Sequence, residues 1–116
     1  MEMADSDGKS GTTVSTGALR ERSWTHLAIV VDRPSRKVSY FFNGKLDSVC
    51  EIPPDFTGDL NVAGKPLSTG TWQPFVGLIH DLRIYRRILV DGEPASDFDD
   101  TKSRHASNSF KVLIED

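Results

Sequence analysis

Three histidines, one cysteine and a scatter of carboxylates are the residues that could do chemistry in this 116-residue chain. Hydrolytic or metal chemistry needs such groups to converge, and their spacing is against it. His26, His80 and His105 form no His-Glu-x-x-His pair, Cys50 has no second cysteine near it, and no nucleophile-elbow pattern occurs. The segment GDLNVAGK, residues 58–65, has the outline of a phosphate loop. Its glycines are one residue too far apart, and Pro66 stands where a magnesium-binding Ser or Thr is needed. No convergent constellation remains, so the expectation is a protein that is not an enzyme.

Recognition is better served than catalysis. Trp72 lies in KPLSTGTWQP, residues 65–74, a loop rich in Gly, Pro, Ser and Thr. A broad, rigid indole beside Gln73 and Thr71 could stack on the apolar face of a sugar and offer hydrogen bonds around it. The competing role is to fold back and pin the loop to the body of the domain. His26 has the same two readings, a ligand contact or a packed side chain satisfied by backbone, and the second is preferred.

Composition bounds the partners. A net charge of −3 argues against nucleic acid, which selects a basic surface, although Arg83, Arg86 and Arg87 could form a small local patch. The longest apolar run, LAIVV at 27–31, is too short to cross a bilayer, so no membrane insertion is expected. One cysteine allows no internal disulfide, which fits a reducing compartment slightly better than a secreted one. The N-terminus lacks the apolar core of a signal peptide, and localisation stays open between extracellular and intracellular.

The elements that must carry these residues read as strands. Residues 1–11 are small and polar and are expected to be a disordered lead-in. TTVST at 12–16 reads as a short strand. WTHLAIVVD at 24–32 is apolar on both faces, the pattern of a central strand covered on both sides. Arg33-Pro34-Ser35-Arg36 is a turn, KVSYFF at 37–42 a return strand, and Asn43-Gly44 the strongest hairpin signal in the chain. KLDSVCEI at 45–52 is a strand that stops at Pro53-Pro54, and LNVAG at 60–64 is another short one. FVGLIHDLRIYRRIL at 75–89 alternates Leu78, Leu82 and Ile84 with His80, as a strand buried on one face would. A short helical turn is expected at 94–98, the run Asp97, Asp99 and Asp100 reads as solvated surface, and SFKVLIE at 109–115 reads as a last strand. The fold class is therefore all-β, an antiparallel β-sandwich, with a domain over residues 12–98 and a tail over 99–116 that carries the final strand.

Four blocks in order resemble the laminin-G-like family of concanavalin A-like jelly-roll domains, in its C-terminal portion. SWTHLAIVVD resembles the family's strand through Trp24, His26 and Asp32, and VSYFFNGK its strand ending in Asn43 and Gly44. LNVAG resembles the short strand that closes on Gly64. FVGLIHDLRIYRRIL resembles its final block through Phe75, Gly77, Asp81, Arg83, Tyr85, Arg87 and Leu89. The chain departs from the family at His80, often acidic, and at Val90, usually a serine.

The resemblance implies a truncated jelly roll and a binding module for carbohydrate or protein. It leaves two further roles open, an architectural domain that docks on neighbouring domains of a larger parent chain and an accessory domain of an enzyme. It also implies calcium as the one cofactor to consider, with Asp55, Asp59, Asn61 and Asp81 as oxygen ligands, although their spacing makes no dedicated calcium loop. Open sheet edges in a truncated sandwich invite self-association. Trp24, His26, Asn43, Gly44, Gly77, Arg83 and Tyr85 are assigned structural roles.

Overall fold

The computed structural model describes residues 1–59, 75–102 and 111–115. Their central feature is a hairpin built by two strands of opposite direction, β3 (His26–Asp32) and β4 (Lys37–Phe42), followed by β5 (Lys45–Glu51). β4 and β5 meet at Asn43 and Gly44, with φ of 50° and 79°. Two successive positive values form the tight turn whose twist matches that of paired strands, and Asn-Gly is the sequence best able to adopt it. Asn43 does a second job there, since its Oδ1 accepts the His26 backbone N–H at 2.9 Å.

β3 lies in the interior of a five-stranded sheet of order β5-β4-β3-β7-β6. β6 is Arg83–Tyr85 and β7 is Lys111–Glu115. The antiparallel part, β5-β4-β3, is extended by β7, which runs parallel to both β3 and β6. A separate two-stranded sheet pairs β1 (Glu2–Ala4) with β2 (Ser10–Thr12).

The hydrophobic core forms where this small hairpin meets the large sheet. Met3 packs with Ile29 and Val31 of β3, Val38 and Tyr40 of β4, and Ile52 and Phe56 beyond β5, with Leu27, Phe42 and Cys50 at the margin. Strand alternation explains the membership, because the register sets Ile29 opposite Tyr40 and Val31 opposite Val38 on one face. The alternate face of β3 carries His26, Ala28 and Val30, all buried. Helix α1 (Glu93–Lys102) lies on that side, with the Phe98 ring centroid 5.9 Å from that of His26. A Cβ placed on Gly44 would come within 2.7 Å of the Ala95 Cα.

Several expectations are corrected. Residues 1–11 are not a disordered lead-in but carry the β1–β2 hairpin, with Met3 buried in the core and Met1 packed against it. The short strand expected at 12–16 falls instead at 10–12. Within 75–89 only Arg83–Tyr85 is strand, and Leu78, Leu82 and Ile84 are 74%, 48% and 58% exposed rather than buried on one face. Asp81, at a φ of 59°, interrupts the extended backbone the alternation called for.

The helical turn expected at 94–98 is ten residues long. Glu93 reaches back to accept the Val90 N–H at 2.9 Å, a capping arrangement, and Pro94 sits in the first turn, where its missing donor costs nothing. The boundary expected at residue 98 therefore falls inside α1. The strand LNVAG and the loop 65–74 lie outside the described residues.

Candidate functional site

The loops at one end of the sheet are tied together by polar side chains. Asp5, buried at the tip of the β1–β2 hairpin, accepts the N–H groups of Asp7 at 3.0 Å and Lys9 at 2.8 Å through Oδ1, and that of Gly58 at 2.9 Å through Oδ2. Burial alone would raise its pKa. The backbone donors of Gly58, Lys9 and Asp7 outweigh burial and hold it below the ordinary carboxylate value. Ser6 adds a reciprocal pair with Asp59, donating its N–H to the Asp59 carbonyl at 2.9 Å and accepting the Asp59 N–H on Oγ at 3.0 Å.

The β3–β4 turn joins the same cluster. Arg33 Nη2 donates to the Gly58 carbonyl at 2.7 Å and to that of Thr57 at 3.3 Å, and its guanidinium lies 5.5 Å from the centre of the Phe56 ring. Arg36 bonds the carbonyls of Pro53 and Phe56. At the bulge in β5 the extra residue is Asp47, whose Oδ2 accepts the Thr16 and Gly17 N–H groups, each at 3.0 Å. Gly17 is the main cause of that carboxyl's lowered pKa.

The segment leading into α1 carries a second set of charged groups. Arg83 is bidentate to Asp81, at 3.0 and 3.2 Å, and stands 3.5 Å from Asp97. Arg87 is bidentate to Glu93, at 2.6 and 2.7 Å, with its guanidinium 5.3 Å from the Tyr85 ring centre. The Arg87 pair, with the Val90 N–H, pulls the Glu93 pKa down to about 2. Hydrogen bonding to Asp81 raises that of Arg83.

Between the two sets lies an open cleft of about 390 Å³, lined by Val31, Arg33, Pro34, Arg86, Arg87 and Ile88. Three arginines and the aliphatic side chains of Val31, Pro34 and Ile88 thus share one open surface. Strand periodicity alone does not reveal it, since its walls come from a turn and a connection more than fifty residues apart; the only signal in the text was the run of arginines.

Three of the four candidate calcium ligands fall among the described residues. Asp55 and Asp59 are exposed loop residues, Asp81 is occupied by Arg83, and Asn61 lies outside the described residues. Among the described residues no group of three His, Cys, Asp or Glu side chains could hold a metal ion. Trp72, Gln73 and Thr71 also lie outside the described residues. Trp24 is half-buried, and His26 is 4% exposed with its ring against Phe98. Gly77 permits a close approach, for a Cβ there would come within 2.7 Å of the Phe75 ring. No helix among the described residues is long and apolar enough to cross a membrane.

A strand-rich body with a mixed five-stranded sheet, an antiparallel two-stranded one and little helix defines the class as all-β, of the sandwich type. The particular family follows from sequence comparison. Residues 1–95 match the Laminin_G_3 family, described as the concanavalin A-like lectin/glucanases superfamily, and the chain belongs to it. Its fold is accordingly of the concanavalin A-like, all-β class, and membership supports a binding module in general terms. No curated protein and no solved structure matches the chain.

Proposed function

We infer that this chain is a non-catalytic recognition domain that meets a carbohydrate or a protein surface through its loops. The observation that carries the reading is the family match over residues 1–95, because domains of this kind bind ligands at loops on a rigid sandwich. The cleft between the β3–β4 turn and residues 86–88 supports it, since it offers both polar and aliphatic contacts. Trp72, with Gln73 and Thr71, is proposed as the stacking contact for a sugar, on the strength of its ring and loop context.

The test is to probe the full chain against a glycan array and a protein array. A reproducible ligand on either supports the reading, and a glycan signal lost in Trp72→Ala at unchanged melting temperature assigns the contact to that ring. Silence on both arrays overturns it.

A second reading, docking against neighbouring domains of a larger chain or against another copy, is favoured by exposed apolar side chains between residues 76 and 90. Val76 is 93% and Val90 64% exposed, and Leu78 and Ile84 lie between them. Sedimentation velocity over a concentration series tests the homotypic form, which requires an association that steepens with concentration.

A further inference from the structure

We propose that the cleft lined by Arg33, Arg86 and Arg87 is a docking site for an acidic peptide segment of a partner protein, in which carboxylate side chains alternate with aliphatic ones. This rests on the reading of the chain as a recognition domain and names the partner chemistry of one of its loop sites.

The cleft combines positioned charge with aliphatic surface. Arg33 is anchored by the Thr57 and Gly58 carbonyls and by the Phe56 ring, not by a carboxylate. Arg87 is locked by Glu93, so its charge is matched within the chain. Arg86 is exposed and makes no ion pair among the described residues. An incoming carboxylate therefore meets Arg86, whose charge is unmatched among the described residues, in a cleft shared with two arginines that the chain itself holds in place. Planar guanidinium groups present paired donors that match the two oxygens of a carboxylate. Pro34 and Ile88, both exposed, supply a wall for an aliphatic side chain beside it.

Charge complementarity chooses the sign of the partner. The chain carries −3 overall, so an acidic segment is repelled by most of the surface and attracted at this cluster, which sets register more than raw affinity. The lining also separates a peptide from a sugar. A neutral saccharide is held best on an open aromatic face, and the described lining of the cleft has no aromatic side chain. Phe56 is fully buried under Arg33, and Tyr85 carries Arg87.

The test is fluorescence anisotropy on the full chain with three labelled probes: a peptide of alternating leucine and glutamate, its glutamine counterpart, and a heparin oligosaccharide. The glutamate peptide is expected to bind in a salt-sensitive way and the glutamine peptide not at all. Arg86→Glu is expected to weaken binding about tenfold at unchanged melting temperature, with Arg86→Lys retaining most of it. The proposal is overturned if the glutamate peptide does not bind, if the glutamine peptide binds equally well, if Arg86→Glu has no effect, or if heparin is preferred at the same arginines. A ligand found by array that ignores Arg86 would sink this proposal and leave the broader reading standing.

Discussion

The carboxylate of Asp5 accepts the backbone N–H of Gly58 at 2.9 Å, joining the tip of the first hairpin to the loop that follows β5. One side chain thereby satisfies three backbone donors and closes the β1–β2 layer onto the large sheet. Asp5→Ala leaves those donors unmatched, and a fall of several degrees in melting temperature is expected. Asp5→Asn should recover part of the loss, because one amide oxygen still accepts. Differential scanning fluorimetry of the two variants decides it; equal stability of Asp5→Ala and the parent would refute the clamp.

Acid should loosen the molecule through the same kind of group. The Glu93 carboxyl has its pKa lowered from 4.5 to about 2 by Arg87 and the Val90 N–H, and those of Asp5 and Asp47 are lowered as well. A carboxyl depressed in the folded state contributes stability that is fully present above its unfolded value. That contribution fades as pH falls from about 4.5 toward about 2. Melting temperature is expected to decline across this window and to be flat above it, with a shallower decline in Glu93→Gln.

Gly44 is the position in the β4–β5 turn least able to accept a side chain. Its φ of 79° strains any L residue, and a new Cβ would meet the Ala95 backbone. Gly44→Ala is expected to cost more than about 1 kcal/mol, read from the urea midpoint. A neutral result would mean that α1 does not rest on the turn.

Phe56 is fully buried in the core although it comes from a loop. Phe56→Ala should cost about 3–5 kcal/mol by loss of burial and creation of a cavity. It should also release Arg33, whose guanidinium lies over the ring. Chemical denaturation of the variant measures the first effect, and a change in peptide binding the second.

The central hairpin was legible in the text because its signals are local. KVSYFF forms β4 at residues 37–42, Asn43-Gly44 makes the turn, and the double apolar pattern of 24–32 belongs to a strand covered on both sides. The segment 75–89 was misread for the opposite reason. Its alternation is real, yet a strand also needs a neighbour to pair with, and within this segment only residues 83–85 pair with β7. The cleft was invisible to periodicity, since Arg33 and Arg86 line it together only when the β3–β4 turn and the approach to α1 are brought to the same place.

The amino-acid sequence by itself determined the strand class, the Asn-Gly turn and the family, because side-chain alternation, backbone preference and motif order are properties of short stretches. Only the tertiary structure decided that Met3 completes the core, that β7 enters the sheet in parallel beside β3, and that Asp5 accepts the Gly58 N–H. Each of these depends on which distant residues become neighbours. Packing and long-range hydrogen bonding select those neighbours after the local choices have been made.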